Sequence, residues 1–323
     1  SSLAQRLQAR QPDKVAGVQN LSTHQTLLGE LGEAGQRVAA VQYIVGEERL
    51  SIIVSTQAIQ LAREVLVSAK ELSQQVAALR TLLQDPRRDP RPAAQALHAL
   101  LIQPILPDLQ GQQIDTLMLV LDGVLRYLPM AALHDGQQYL VEQYALALYT
   151  EAARTSLVRA PAVQWRGAAL GVSRGFPEQQ FQPLPAVPGE LDGIVRPEVL
   201  PGSVYLDEQF TLAALRRNLS QPVLHIASHF RFIDGSDESY LLLGDGSRLT
   251  LRDVRLQLPA LRGVDLLTLS ACDTATGGGL REDGREVEGL GVEAQRKGAR
   301  AVLASLWPVA DQSTGLLMQQ FYR

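Results

Sequence analysis

The chain is short of several things, and each shortage removes a class of function. Among 323 residues there is one cysteine, so neither an internal disulfide framework nor a thiolate zinc cluster can form. No basic block is present: the net charge is −4 and the pI near 5.8, which leaves no electrostatic footprint for nucleic acid. Long apolar runs are missing too. Leu117–Leu121 is cut by Asp122 and Ala145–Tyr149 by polar neighbours, well short of the roughly 20 residues that span a bilayer. No signal-peptide pattern is seen, and a start at Ser1-Ser2 without Met reads as an excised fragment. Neither nucleic acid nor membrane is therefore expected as a partner.

What is present is enough to fold. With 46% apolar and 20% charged residues, the chain can bury a sizeable core and has the length for two modest domains. Residues 1–36 are polar and Gln-rich, with helical spacing in Leu21, Leu27, Leu28 and Leu31. The runs Val38–Val45 and Leu50–Thr56, joined by Gly46-Glu47-Glu48-Arg49, read as a hairpin. Leu61, Val65, Leu72, Val76, Leu79 and Leu83 predict one helix over 61–84, and the Pro/Arg segment 85–92 an exposed loop. A helix at 93–102 and strands at 116–121 and 145–149 follow.

The second half repeats the alternation. Strands are expected at 167–172, 223–229, 264–271 and 301–306, with helices near 188–194, 212–219, 286–298 and 311–322. That rhythm predicts an α/β fold, a mostly parallel sheet with helices on both faces. The expected division is a helical segment or linker over 1–36, a first half over 37–160 and a second over 161–323.

Two segments carry candidate chemistry. Val223-Leu224-His225-Ile226-Ala227-Ser228-His229 and Asp265-Leu266-Leu267-Thr268-Leu269-Ser270-Ala271-Cys272-Asp273-Thr274 are apolar strands ending in reactive side chains. Ligands meet parallel sheets at the carboxyl ends of strands, where a thiol and an imidazole can converge. A neutral histidine then takes the proton of a thiol that is mostly un-ionised at its free pKa. The bland alternative is a small buried cysteine and two satisfied structural histidines. His-x-x-x-His on a strand lacks the helical geometry and the intervening Glu of a zinc peptidase motif, and no metal or cofactor is expected. Gly171-Val172-Ser173-Arg174-Gly175 matches a serine-hydrolase elbow, but Phe176-Pro177 follows where a helix must start, so Ser173 reads as loop. Glu286 and Glu288 suit a helix start and read as structural.

The ordered series His225-x-x-Ser228-His229, Leu267-Thr268-Leu269-Ser270-Ala271-Cys272-Asp273-Thr274, Gly298-Ala299-Arg300-Ala301-Val302 and Leu306-Trp307-Pro308-Val309-Ala310-Asp311 resembles the CHAT domain. The resemblance extends back through Pro183-Leu184-Pro185 and Leu128-Pro129 to the hairpin, over about residues 35–323. CHAT domains are peptidases related to caspases and separase, often found after tetratricopeptide repeats. The resemblance implies a caspase-like fold in which a degenerate, pseudo-protease half precedes the active one. It implies a cytoplasmic thiol protease with His229 as base and Cys272 as nucleophile, an endopeptidase cleaving protein or peptide substrates. An upstream repeat region or regulatory partner would control it. Many relatives carry Gly after the histidine, where an amide helps hold the oxyanion; this chain has Phe230, whose N–H would act with that of Cys272. Asp311 reads either as the cap of the last helix or as the acid that binds a basic P1 side chain. The alternative to an enzyme is a catalytically silent scaffold on the same fold.

Overall fold

A computed structural model describes residues 21–33, 35–153, 156, 159–231, 233, 237–273, 290–305 and 311–323, with side chains described at all of these except 21–26, 151 and 271–273. The chain divides into two compact units between Thr150 and Glu151. Both are mixed α/β.

In the first unit the order is α1 (Leu21–Glu33), β1 (Val38–Val45), β2 (Arg49–Ser55), β3 (Gln60–Leu66), α2 (Ala69–Leu83), α3 (Arg91–Leu101), α4 (Leu106–Gly111), β4 (Thr116–Val120), α5 (Leu140–Gln143) and β5 (Ala145–Leu148). The sheet runs β3-β2-β1-β4-β5. Its first two pairings are antiparallel and the other two parallel. The hairpin of β1 and β2 closes through Gly46 N–H to the Arg49 carbonyl, 2.9 Å. One helix over 61–84 does not form. Residues 60–66 instead pair along β2, from Ser55 opposite Gln60 to Arg49 opposite Leu66. Leu61 and Val65 fit a period of two as well as one of four, and edge pairing decides between them. The helix starts after Ser68, whose hydroxyl accepts the Glu71 N–H at 3.1 Å.

The second unit holds β6 (Gly167–Gly171), α6 (Val187–Ile194), β7 (Gly202–Leu206), α7 (Leu212–Asn218), β8 (Val223–Arg231), β9 (Tyr240–Leu242), β10 (Arg248–Thr250), α8 (Leu251–Gln257), β11 (Leu266–Asp273), α9 (Leu290–Arg296), β12 (Ala301–Ala304) and α10 (Asp311–Phe321). Strands β7, β6, β8, β11 and β12 lie parallel in that order. Beyond the end of β6, the last residues of β8 pair with β9 (Phe230 with Leu241), and β9 pairs antiparallel with β10. The mostly parallel sheet is thus a property of this unit.

Alternation along β8 explains the layers. Leu224 and Ile226 join the core formed with Leu215 of α7, Val254 of α8 and Ala294 of α9. Ala227 and Val223 face the other way, against Val187 and Leu191 of α6 and Met318 of α10. Both faces are covered, so the strands read as continuous apolar runs rather than as an alternation. Chain order moves from β6 outward to β7 and then back across to β8 on the other side. That reversal opens a crevice at the carboxyl ends of β6 and β8, where α/β sheets bind ligands.

Candidate active site

The loop leaving β6 crosses this crevice. A bridge between Phe176 and Phe181 (2.9 and 3.1 Å), with the turn Pro177–Gln179 inside it, folds the loop back on itself. Gln180 takes a left-handed φ of 61°, a conformation uncommon outside glycine and costly enough that the surroundings must impose it. Leu184 N–H binds the Ser173 carbonyl at 2.8 Å and ties the other end down. The carbonyl of Gln182 is therefore delivered in a fixed direction.

It is aimed at His229. The imidazole Nε2 lies 2.9 Å from the Gln182 oxygen. A carbonyl only accepts, so Nε2 carries the proton and, in the neutral ring, Nδ1 holds the lone pair. One face of the ring stacks on Phe181, centroids 4.6 Å apart at 22°. The Arg231 guanidinium lies 4.4 Å from the centroid of the same phenyl ring. His229 is 7% exposed, and both its tautomer and its plane are set by neighbours. Sequence reasoning missed Gln182 and Phe181. A carbonyl leaves no mark in residue type, and an isolated Phe in a Pro-rich loop gives no period.

Cys272 belongs to β11, beside β8. Ala271 pairs with Ser228 and Asp273 with Arg231, with an irregularity between them, so Cys272 occupies the strand position flanking His229 and Phe230. Its side chain lies outside the described residues, as do Gly277-Gly278-Gly279, Glu286, Glu288 and Trp307-Pro308. Phe230 remains in the β8 ladder. Its side chain packs on the core side, opposite the face that carries His229, so its Cβ is turned from the crevice.

Asp311 opens α10, and its Oδ2 accepts the Ala186 N–H at 2.7 Å, at the start of α6. The carboxylate thus reaches across to another helix. It also lines a cavity of about 230 Å³ together with Gln182, Glu190, Ser228, His229 and Ser270. Among the described residues no Lys or Arg lines this cavity, and two carboxylates do.

His225 is buried completely, and its Nε2 lies 2.8 Å from Glu190 Oε1. Its ring is thus held by a side chain of the neighbouring helix α6. Beside it Tyr322 packs edge-on (5.6 Å) and shares a 2.6 Å hydrogen bond with Thr268. Burial pushes the Tyr322 phenol up to about 12. Ser173 is held by a carboxylate rather than an imidazole: its N–H and hydroxyl both donate to Asp207 at 2.7 Å. No α-helix starts directly after it, only a short 3-10 turn at Pro177–Gln179, and the loop reading stands.

Comparison with known proteins agrees with the motif order. No curated protein matches the chain, whereas the CHAT domain family model matches residues 91–323. No helix among the described residues is long and apolar enough to cross a membrane. The match covers the whole second unit and the crevice built above, and the chain belongs to the CHAT domain family, a family related to peptidases.

Proposed function

We propose that the chain is a cysteine endopeptidase in which His229 takes a proton from Cys272 and the thiolate attacks a peptide carbonyl. The observation that carries this reading is the pairing of β8 with β11. It brings the backbone of Cys272 beside an imidazole whose Nε2 is tied to Gln182, so that Nδ1 is the basic atom. A weak nucleophile with an adjacent, oriented base is the general arrangement for covalent acyl transfer. His229 would then return the proton to the leaving amine, and water would release the acyl group by the same route. Backbone N–H groups of Phe230 and Cys272 would hold the oxyanion. Asp311 would bind substrate in the cavity next to His229, favouring a basic P1 side chain.

The wider reading follows the family. The second unit would be the caspase-like, separase-like protease and the first a degenerate caspase-like half, which agrees with the absence of cysteine before residue 272. A lone nucleophilic thiol suits a reducing, cytoplasmic setting. Control by an upstream tetratricopeptide-repeat region or a partner belongs to the same proposal.

A peptide carrying a thiol-reactive warhead tests it. Labelling confined to Cys272, with labelling and peptide cleavage lost in Cys272→Ala and His229→Ala while both variants stay folded, is the expected result. A folded wild type with neither labelling nor cleavage would point to the silent scaffold.

A further inference from the structure

The cavity beside His229 holds a second carboxylate that motif order does not bring forward. Glu190 sits on α6 at 1% exposure and still lines the cavity. A carboxylate so deeply enclosed needs compensation, since an isolated buried charge costs several kcal/mol by the usual scale for ions in proteins. The compensation is partial and one-sided. His225 occupies Oε1 at 2.8 Å, whereas Oε2 takes no hydrogen bond from a described residue. Nor does His225 Nδ1 have a partner among the described residues. A proton there would be a buried donor without an acceptor, so the ring's proton belongs on Nε2, donated to the carboxylate. The pair then keeps one negative charge, on Glu190, with Oε2 not bonded by any described residue.

Helix α10 packs close to this side chain. Gly315 of α10 faces this carboxylate: a Cβ built there would stand 3.6 Å from Oε2 and 3.5 Å from the Glu190 Cβ. Glycine in the middle of a helix costs about 0.5–1 kcal/mol relative to alanine. Here a Cβ would be in ordinary van der Waals contact, so the glycine is part of the close packing of α10 on Glu190. Besides Ser228 and His229, the remaining polar lining among the described residues is neutral or acidic: Gln180, Gln182, Ser270, Thr314 and Asp311. At about 230 Å³ the space suits one long side chain and not a whole drug-sized molecule.

We propose that Glu190, positioned by His225, is the specificity-determining acid of this pocket and selects a guanidinium side chain, Asp311 being the second carboxylate nearer solvent. The assignment deepens the peptidase reading and rests on it for the meaning of the pocket as a P1 site. The binding itself does not need catalysis. The planar guanidinium offers donors in a fixed fork, matched to carboxylate oxygens on either side of a narrow cavity.

The test uses the full chain and a probe with no scissile bond. Agmatine binding is measured by calorimetry on wild type and on Glu190→Gln, which keeps an acceptor for His225 and removes the charge. The same proteins are assayed on peptides with Arg or citrulline, its neutral isostere, at P1. Affinity for agmatine is expected to fall about tenfold to a hundredfold in Glu190→Gln, the range for a hydrogen bond to a charged group. The Arg-over-citrulline ratio in kcat/KM should fall by the same factor. A merely structural glutamate would lower both substrates alike. Should Glu190→Gln not fold, Thr314→Met narrows the cavity from its α10 wall without replacing either acid, and loss of agmatine binding in that folded variant supports the assignment. Wild type that does not bind agmatine, or a folded variant of either kind that binds it as wild type does, overturns the proposal. Glu190-dependent binding without any peptide cleavage would support the pocket and remove the peptidase reading alone.

Discussion

Two histidines four residues apart on one strand face the same layer, and replacing each by alanine should produce opposite defects. His225 is fully buried against Glu190, itself 1% exposed. Removing the histidine strands the carboxylate in the interior, and breaking a buried pair from one side costs about 3–5 kcal/mol. His229 loses less. Of its contacts with described residues it gives up a hydrogen bond to a neutral carbonyl, about 0.5–1.5 kcal/mol, and a stacked ring, about 0.5–1.5 kcal/mol, together about 1–3 kcal/mol. A gap of about 2 kcal/mol between the two variants is roughly a 30-fold difference in the folding constant. Chemistry should rank them the other way. Loss of a general base costs about a hundredfold to ten-thousandfold in rate, so His229→Ala should be folded and inactive. His225→Ala should retain turnover in whatever fraction stays native. Urea unfolding followed by tryptophan fluorescence gives the first ranking, and kcat on a fluorogenic peptide gives the second. A His229→Ala variant less stable than His225→Ala, or one with near-normal kcat, would refute the division of labour drawn from the two environments.

Phe181→Leu keeps most of the buried volume but removes the ring face against His229 and under Arg231, and kcat/KM should fall about 2- to 10-fold at nearly constant KM. Substrate-titration kinetics check it, and unchanged kcat would mean that the stack does not orient the base. Ser173→Ala should leave peptide cleavage intact and lower stability in a pH-dependent way. Burial acts to raise the Asp207 pKa, but hydrogen bonds from the Ser173 N–H and hydroxyl and the Arg174 N–H outweigh it and hold the carboxyl below its usual range. A depressed folded-state pKa contributes stability that is present above the unfolded value, near 3.9, and is lost as pH falls through the folded one. The penalty of Ser173→Ala should therefore be largest at neutral pH, about 1.5–3 kcal/mol, and shrink below about pH 4. Denaturant titrations at pH 7 and pH 3 measure it, and an equal penalty at both would reject the hydrogen bond to carboxylate as its source.

The strands that carry the site were legible because a parallel strand covered on both faces must be apolar along its whole length. Val223–His229 and Leu266–Ala271 announce themselves for that reason, and each ends in polar residues at the edge of the sheet. Helix α6 was legible through the spacing of Val187, Leu191 and Ile194 on the face it buries, whereas α10 buries Gly315 and Met318 and leaves Leu316, Leu317 and Phe321 exposed. Where the signal is weak, reading failed. The strand β7, Gly202–Leu206, lies at the edge with a half-exposed pattern, and β3 shares its spacing with a helix. Short β10 and α8, residues 248–257, follow from a turn and a capping box that the sequence reading passed over.

By itself the sequence determined the motif order that marks the family, the single thiol, and the choice of strand ends as the place for chemistry. Those depend on residue type and on local period, which one chain carries in full. The resemblance already chose His229 over His225, but tertiary structure alone shows what surrounds each ring. His225 and His229 are the same residue on the same face, and the buried Glu190 on α6 and the carbonyl of Gln182 in a distant loop tell them apart. It also brought Asp311 and Glu190, 121 positions apart in the numbering, to one cavity. Such pairings arise when helices pack on a sheet and bury charge, and no spacing along the chain encodes them.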